Sequence, residues 1–106
     1  MSGSRTITKD DDRLDNVHPG DILRHDFLIG SEIPLTEVAS GAHIAEARLI
    51  AILEGQQLID ADTDLRLARY FGVSEGFFLG LQNDYDLEEA KRALDGDLDR
   101  IVPRAA

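Results

Sequence analysis

The chain has 106 residues, no cysteine, and 21 acidic against 11 basic side chains, for a formal charge of −10. That length suits one domain with a modest core, the missing thiols exclude disulfides and thiolate metal sites, and no apolar run approaches the roughly 20 residues that span a bilayer. The acidic balance works against non-specific attraction to nucleic acid, which depends on Lys and Arg neutralising phosphates, and favours a basic partner.

Residues 1–17 carry few apolar side chains and the run Asp10-Asp11-Asp12, and read as a tail ahead of the domain. A first helix should begin at Pro19 or Gly20, with Ile22, Leu23, Phe27 and Leu28 as its apolar stripe and Gly30 placed to end it. Pro34 opens a second helix with Leu35, Val38 and Ala39 facing inward, and Ser40 to His43 form a turn. A third runs from about Ala45 to Leu53: Ile44, Leu49, Ile52 and Leu53 supply its buried side, Glu46, Ala47, Arg48, Ile50 and Ala51 its exposed or flanking faces, and Gly55 a left-handed cap.

Asp60 is the expected N-cap of a fourth helix carrying Leu65, Leu67, Ala68 and Phe71 and closed by Gly72. Ser74 caps a fifth with Phe77, Phe78 and Leu81, and the capping-box pair Asp86 and Glu89 opens a sixth over residues 87–95, ended by Gly96. No window alternates with period two for long enough to need a strand. The expected fold is an all-α bundle of five to six helices, with residues 18–101 as the domain and 102–106 as a short tail.

Two short helices meeting at a tight turn over residues 34–57 have the layout of a helix-turn-helix, the second helix projecting outward. The charge is unusual for such a segment: Arg48 is its one basic side chain, against Glu37, Glu46 and Glu54. If the third helix meets a major groove, the candidate contacts are Ala45, Glu46, Ala47 and Arg48 on its exposed face, Gln56 and Gln57 beyond it, and Thr36 on the second helix. Glu46 could accept a hydrogen bond from cytosine N4.

Catalysis finds no support. No cysteine nucleophile, Gly-x-Ser-x-Gly or Gly-rich phosphate loop is present, and His18, His25 and His43 lack metal-ligand spacing. No enzyme activity, metal or cofactor is expected, and the location expected is the cytoplasm.

Three blocks occur in order: His18-Pro19-Gly20-Asp21-Ile22-Leu23, Asp60 to Ala68, and Phe77 to Leu81 followed by Gln82 and Tyr85-Asp86-Leu87-Glu88. Together they resemble the HigA-type antitoxins, or plasmid-maintenance antidote proteins, of the lambda-repressor-like helix-turn-helix group, over roughly residues 18–101. The resemblance implies a homodimer that neutralises a HigB-like messenger-RNA endonuclease, a basic ribonuclease toxin, and represses its own operon at a palindromic operator in double-stranded DNA. The family usually has a polar N-cap and a glutamine where Pro34 and Leu35 stand, a turn glycine at His43, a basic or polar residue near Glu46, and a basic pair at Gln56 and Gln57. A stand-alone transcriptional repressor, or an interaction module that has lost DNA binding, remain alternatives; fold alone does not choose among them.

Overall fold

A computed structural model describes residues 15–105 of the chain. His18 stands at the first N-cap, its Nδ1 accepting the Gly20 N–H at 2.9 Å, and Pro19, whose missing donor is harmless in a first turn, starts α1 (Pro19–Ile22). The helix widens without a break into a π-helical segment, Leu23–Ile29, in which the Gly30 N–H reaches back five residues to the His25 carbonyl at 3.0 Å. The wider turn lets Leu23 and Leu28, five apart, both enter the core. It also moves the stop. Gly30, the expected terminator, keeps right-handed dihedrals (φ −59°), and Glu32 takes the left-handed conformation (φ 56°) as the Ile33 N–H closes on the Leu28 carbonyl at 3.0 Å.

Four more helices follow: α2 (Leu35–Ala42), α3 (Glu46–Leu53), α4 (Ala61–Phe71) and α5 (Phe77–Leu94), then one 3-10 turn at Leu98–Arg100. The described residues contain no strand, so the all-α expectation holds with five helices. The separate sixth helix does not form. Asp86 lies on the surface of a continuous α5 and accepts the Gln82 side-chain amide at 3.0 Å, one turn earlier, instead of capping a new helix. No glycine or proline stands between Leu81 and Leu94 to interrupt the backbone ladder.

Ser74 likewise is not the cap of α5. The N-cap position is Gly76 (φ 92°), which has no side chain, and the acceptor comes from α4. Asp64, 2% exposed, receives the Gly76 N–H at 2.6 Å and the Leu79 N–H at 2.8 Å. A buried carboxylate at the positive end of a helix makes charge-assisted bonds, roughly twice as strong as neutral ones. Here it welds α4 to α5.

Leu23, Val38, Leu49, Ile52, Ile59, Leu67 and Phe78 are fully buried. Phe27, on the π-helical segment, meets Phe71 of α4 at 4.9 Å between ring centroids and Phe78 of α5 at 5.0 Å, joining three elements in one aromatic cluster. Of the apolar side chains expected on α4, Leu65 is 48% exposed, while Leu67 and Ala68 supply the interior side. At Gly20 the backbones touch: a Cβ there would lie 2.5 Å from the Ile52 carbonyl oxygen, so glycine lets α1 rest directly on the end of α3.

The proposed N-terminal tail lies outside the described residues as far as position 14. Asn16 is anchored to α5, its side-chain amide donating to the Tyr85 carbonyl at 2.9 Å and to a Glu89 carboxylate oxygen at 3.1 Å.

Candidate nucleic-acid interface

The turn between α2 and α3 is built on His43, which adopts the left-handed conformation (φ 58°, ψ 46°) where glycine meets no steric penalty. Histidine is among the non-glycine residues that tolerate it best. The Ile44 N–H then closes on the Ala39 carbonyl at 2.9 Å and the Ile44 side chain drops into the core, 4% exposed. The chain has thereby turned out of α2, and α3 starts with Ala45 at its N-cap.

α4 holds this turn in place. Arg66 donates from Nη1 to the His43 carbonyl at 3.1 Å and from Nε to Asp62 at 2.7 Å. Arg48, the lone cation of α3, turns back onto the same helix: Nη2 donates to Asp60 Oδ1 at 2.8 Å and to the Thr63 hydroxyl, and Nη1 lies 3.7 Å from Asp62. Its Nε is buried with no hydrogen-bond partner. The side chain expected to reach outward is therefore spent on orienting α3 against α4.

Asp60 doubles as the α4 N-cap, accepting the Thr63 N–H at 2.9 Å. Its carboxyl is held below the ordinary value, chiefly by that N–H and then by the Thr63 hydroxyl, with Arg48 adding a smaller pull against the opposing effect of burial.

What α3 presents outward is short and nearly uncharged. Ala45, Glu46, Ala47 and Ile50 are exposed, Ala51 is half-buried beside them, and Glu46 is the one ionised group on that face. Gln56, Gln57 and Leu58 are exposed on the following loop, and Thr36 is exposed in the first turn of α2. The loop is fixed from behind by Gln82, 2% exposed, whose Oε1 accepts the Ile59 N–H at 3.0 Å.

Neither α2 nor α3 receives a hydrogen bond from a side chain at its N-cap, Pro34 and Ala45 having none to offer. On the other side of the turn, Arg66, Arg69 and Tyr70 line an open groove of 620 Å³ with His43 and Leu65.

The candidate residues thus divide. Ala45, Glu46, Ala47, Gln56, Gln57 and Thr36 are all exposed, whereas Arg48 is turned onto α4. The sequence reading quoted Arg66, Asp64 and Gln82 only within the family blocks and gave them no role. The four-residue spacing of Asp62 and Arg66 signals their pairing, but nothing local announces a bond from Arg66 to a backbone carbonyl 23 positions away. Among the described residues, no group of three or more His, Cys, Asp or Glu could hold a metal ion, and no helix is long and apolar enough to cross a membrane.

A five-helix domain that turns α3 of an α2–turn–α3 pair outward is a lambda-repressor-like helix-turn-helix protein. No family model matches the chain. It is 38% identical over 76 residues, 72% of its own length and 70% of the relative's, to virulence-associated protein I of Dichelobacter nodosus. The structure of Pseudomonas aeruginosa antitoxin HigA with the higBA promoter matches 86% of this chain and all of that one, with a TM-score of 0.77 at 33% identity. A Pseudomonas aeruginosa protein solved in complex with its 18-base-pair operator DNA matches 87% of this chain and all of that one, with a TM-score of 0.79 at 32% identity. The chain belongs to the HigA family of antitoxins. It is a regulator and not an enzyme.

Proposed function

We propose that this chain represses its own operon by seating α3 in the major groove of an operator, and that it neutralises a HigB-like messenger-RNA endonuclease encoded beside it. The observation that carries the first half is the outward α3 of a helix-turn-helix whose relatives of the same shape are solved on promoter and operator DNA. A homodimer would place two copies of α3 about one helical turn apart, roughly 34 Å, matching the half-sites of a palindrome.

Each part of the motif then has a task. The N–H groups opening α2 and α3, uncapped by side chains, suit phosphate oxygens, as do the side chains of Thr36, Gln56 and Gln57. Ala45, Glu46 and Ala47 face the base edges. Arg48 and Arg66 act at one remove, by fixing α3 and its turn on α4.

The toxin half of the proposal rests on charge and exposed apolar surface. Acids outnumber bases along residues 84–99, and only part of that charge is met locally, as by the Arg92–Glu88 pair at 2.9 Å. Leu87, Leu94 and Leu98 are exposed beside them. A basic ribonuclease would find both attraction and apolar contact there.

A gel shift on DNA from upstream of the gene tests the operator half: a specific complex is expected, with a shallow dependence on salt because few cations displace counterions. Loss of the complex into non-specific competitor DNA would sink it. Co-expression with the adjacent basic reading frame tests the other half, and growth arrest that persists would remove it. The cation-free outer face of α3 favours one other reading, a protein-interaction module without DNA binding, in which partner capture would survive while no duplex shifts.

A further inference from the structure

We infer that α3 selects its operator through thymine methyl groups and a cytosine amino group, and not through guanine. The inference rests on the operator-binding reading above and gives that site a base preference.

Guanine offers two acceptors in the major groove, N7 and O6, so reading it requires a side-chain donor. The outward face of α3 supplies none. Ala47, Ile50 and Ala51 have no polar atoms, and ionised Glu46 only accepts. Arg48, the one α3 side chain with donors, has both terminal nitrogens committed toward α4: Nη2 on Asp60 and Thr63, and Nη1 beside Asp62. Withdrawing it would give up its bonds to Asp60 and Thr63 and its approach to Asp62.

The groove edge that complements such a face carries methyls and a donor. The C5-methyl of thymine is the apolar group available there, and cytosine N4 is the donor a carboxylate accepts from. Alanine at positions 47 and 51 lets the helix backbone approach closely enough for methyl contact, and Ile50 widens the apolar strip. Glu46, in the first turn of α3, stands where the helix end enters the groove. Its charge repels phosphates, so base contacts carry an unusually large share of the affinity.

The full-length chain and its Glu46→Gln variant, incubated with a randomised duplex library and sequenced after selection, decide the matter. Enriched half-sites are expected to be thymine-rich, with cytosine at the position facing Glu46. Replacing thymidine by deoxyuridine in a selected duplex removes only the methyls and should weaken binding about fourfold for each methyl contacted. Glu46→Gln should move the preference at its position from cytosine to adenine, which glutamine reads through N6 and N7, and should tighten binding to random duplex by removing a negative charge. A deoxyuridine duplex bound as well as its parent, or one and the same motif for both proteins, overturns the inference while operator binding stands. A library with no enrichment overturns both, the result expected if this face docks a protein.

Discussion

The helices of the scaffold and those of the helix-turn-helix end differently. α1, α4 and α5 each have N-terminal donors closed by a side chain, from His18, Asp60 and, across a helix boundary, Asp64. α2 and α3 have none. Caps are commonly worth about 1 kcal/mol each, so the motif forgoes stability where the scaffold takes it. Under the proposed function, free N–H groups at two helix ends would receive phosphates. The contrast then separates the part that holds the shape from the part proposed to meet a partner.

The largest way to probe the scaffold side is Phe78→Ala. Its ring is fully buried at the centre of the aromatic cluster, and removing it should cost about 3–5 kcal/mol in a denaturant melt. Asp64→Ala comes next: two α5 donors would lose a charged acceptor inside the protein, for a loss of about 2–3 kcal/mol. An unchanged melt would show that α5 does not depend on α4 for its start.

On the motif side the same kind of change should act in the opposite direction. Ala45→Asp gives α3 the cap it lacks, at an N-cap whose extended ψ of 134° already suits one. Stability should rise by about 0.5–1 kcal/mol while DNA affinity falls, because the new carboxylate both occupies the open N–H groups and repels phosphate. A variant that gained stability and kept its affinity would break the contrast.

The smallest effect is one of pH. The folded carboxyl of Asp60 titrates below its ordinary value, so its contribution is present above that value and is lost as pH falls through the folded one. The stability difference between the parent and Asp60→Asn should hold steady near neutrality and shrink only below about pH 4.

Legibility in the sequence followed the range of the interaction. Pro19 at a helix start, Asp60 three residues before its target and Gly55 and Gly72 at left-handed ends were readable, because each acts on its own backbone neighbours. The π-helical turn was not: Leu23, Phe27 and Leu28 fit a 3.6-residue period well enough to hide the wider one. Asp86 and Glu89 satisfied a local capping pattern, yet the continuous ladder of α5 won because no breaker preceded them.

At the interface, exposure of the α3 face could be read from its period, whereas the partners of Arg48 could not. They lie 12 and 15 residues ahead and become neighbours only once α4 folds across the turn. The buried Asp64 looked like one more surface acid in a chain with many.

Backbone amide exchange with and without DNA from the chain's own upstream region tests most directly whether the open ends of the motif are the docking surface. Added protection is expected at Leu35, Thr36, Glu46 and Ala47, with α5 unchanged. Protection confined to α5, or none at all under conditions that form a complex, would contradict it.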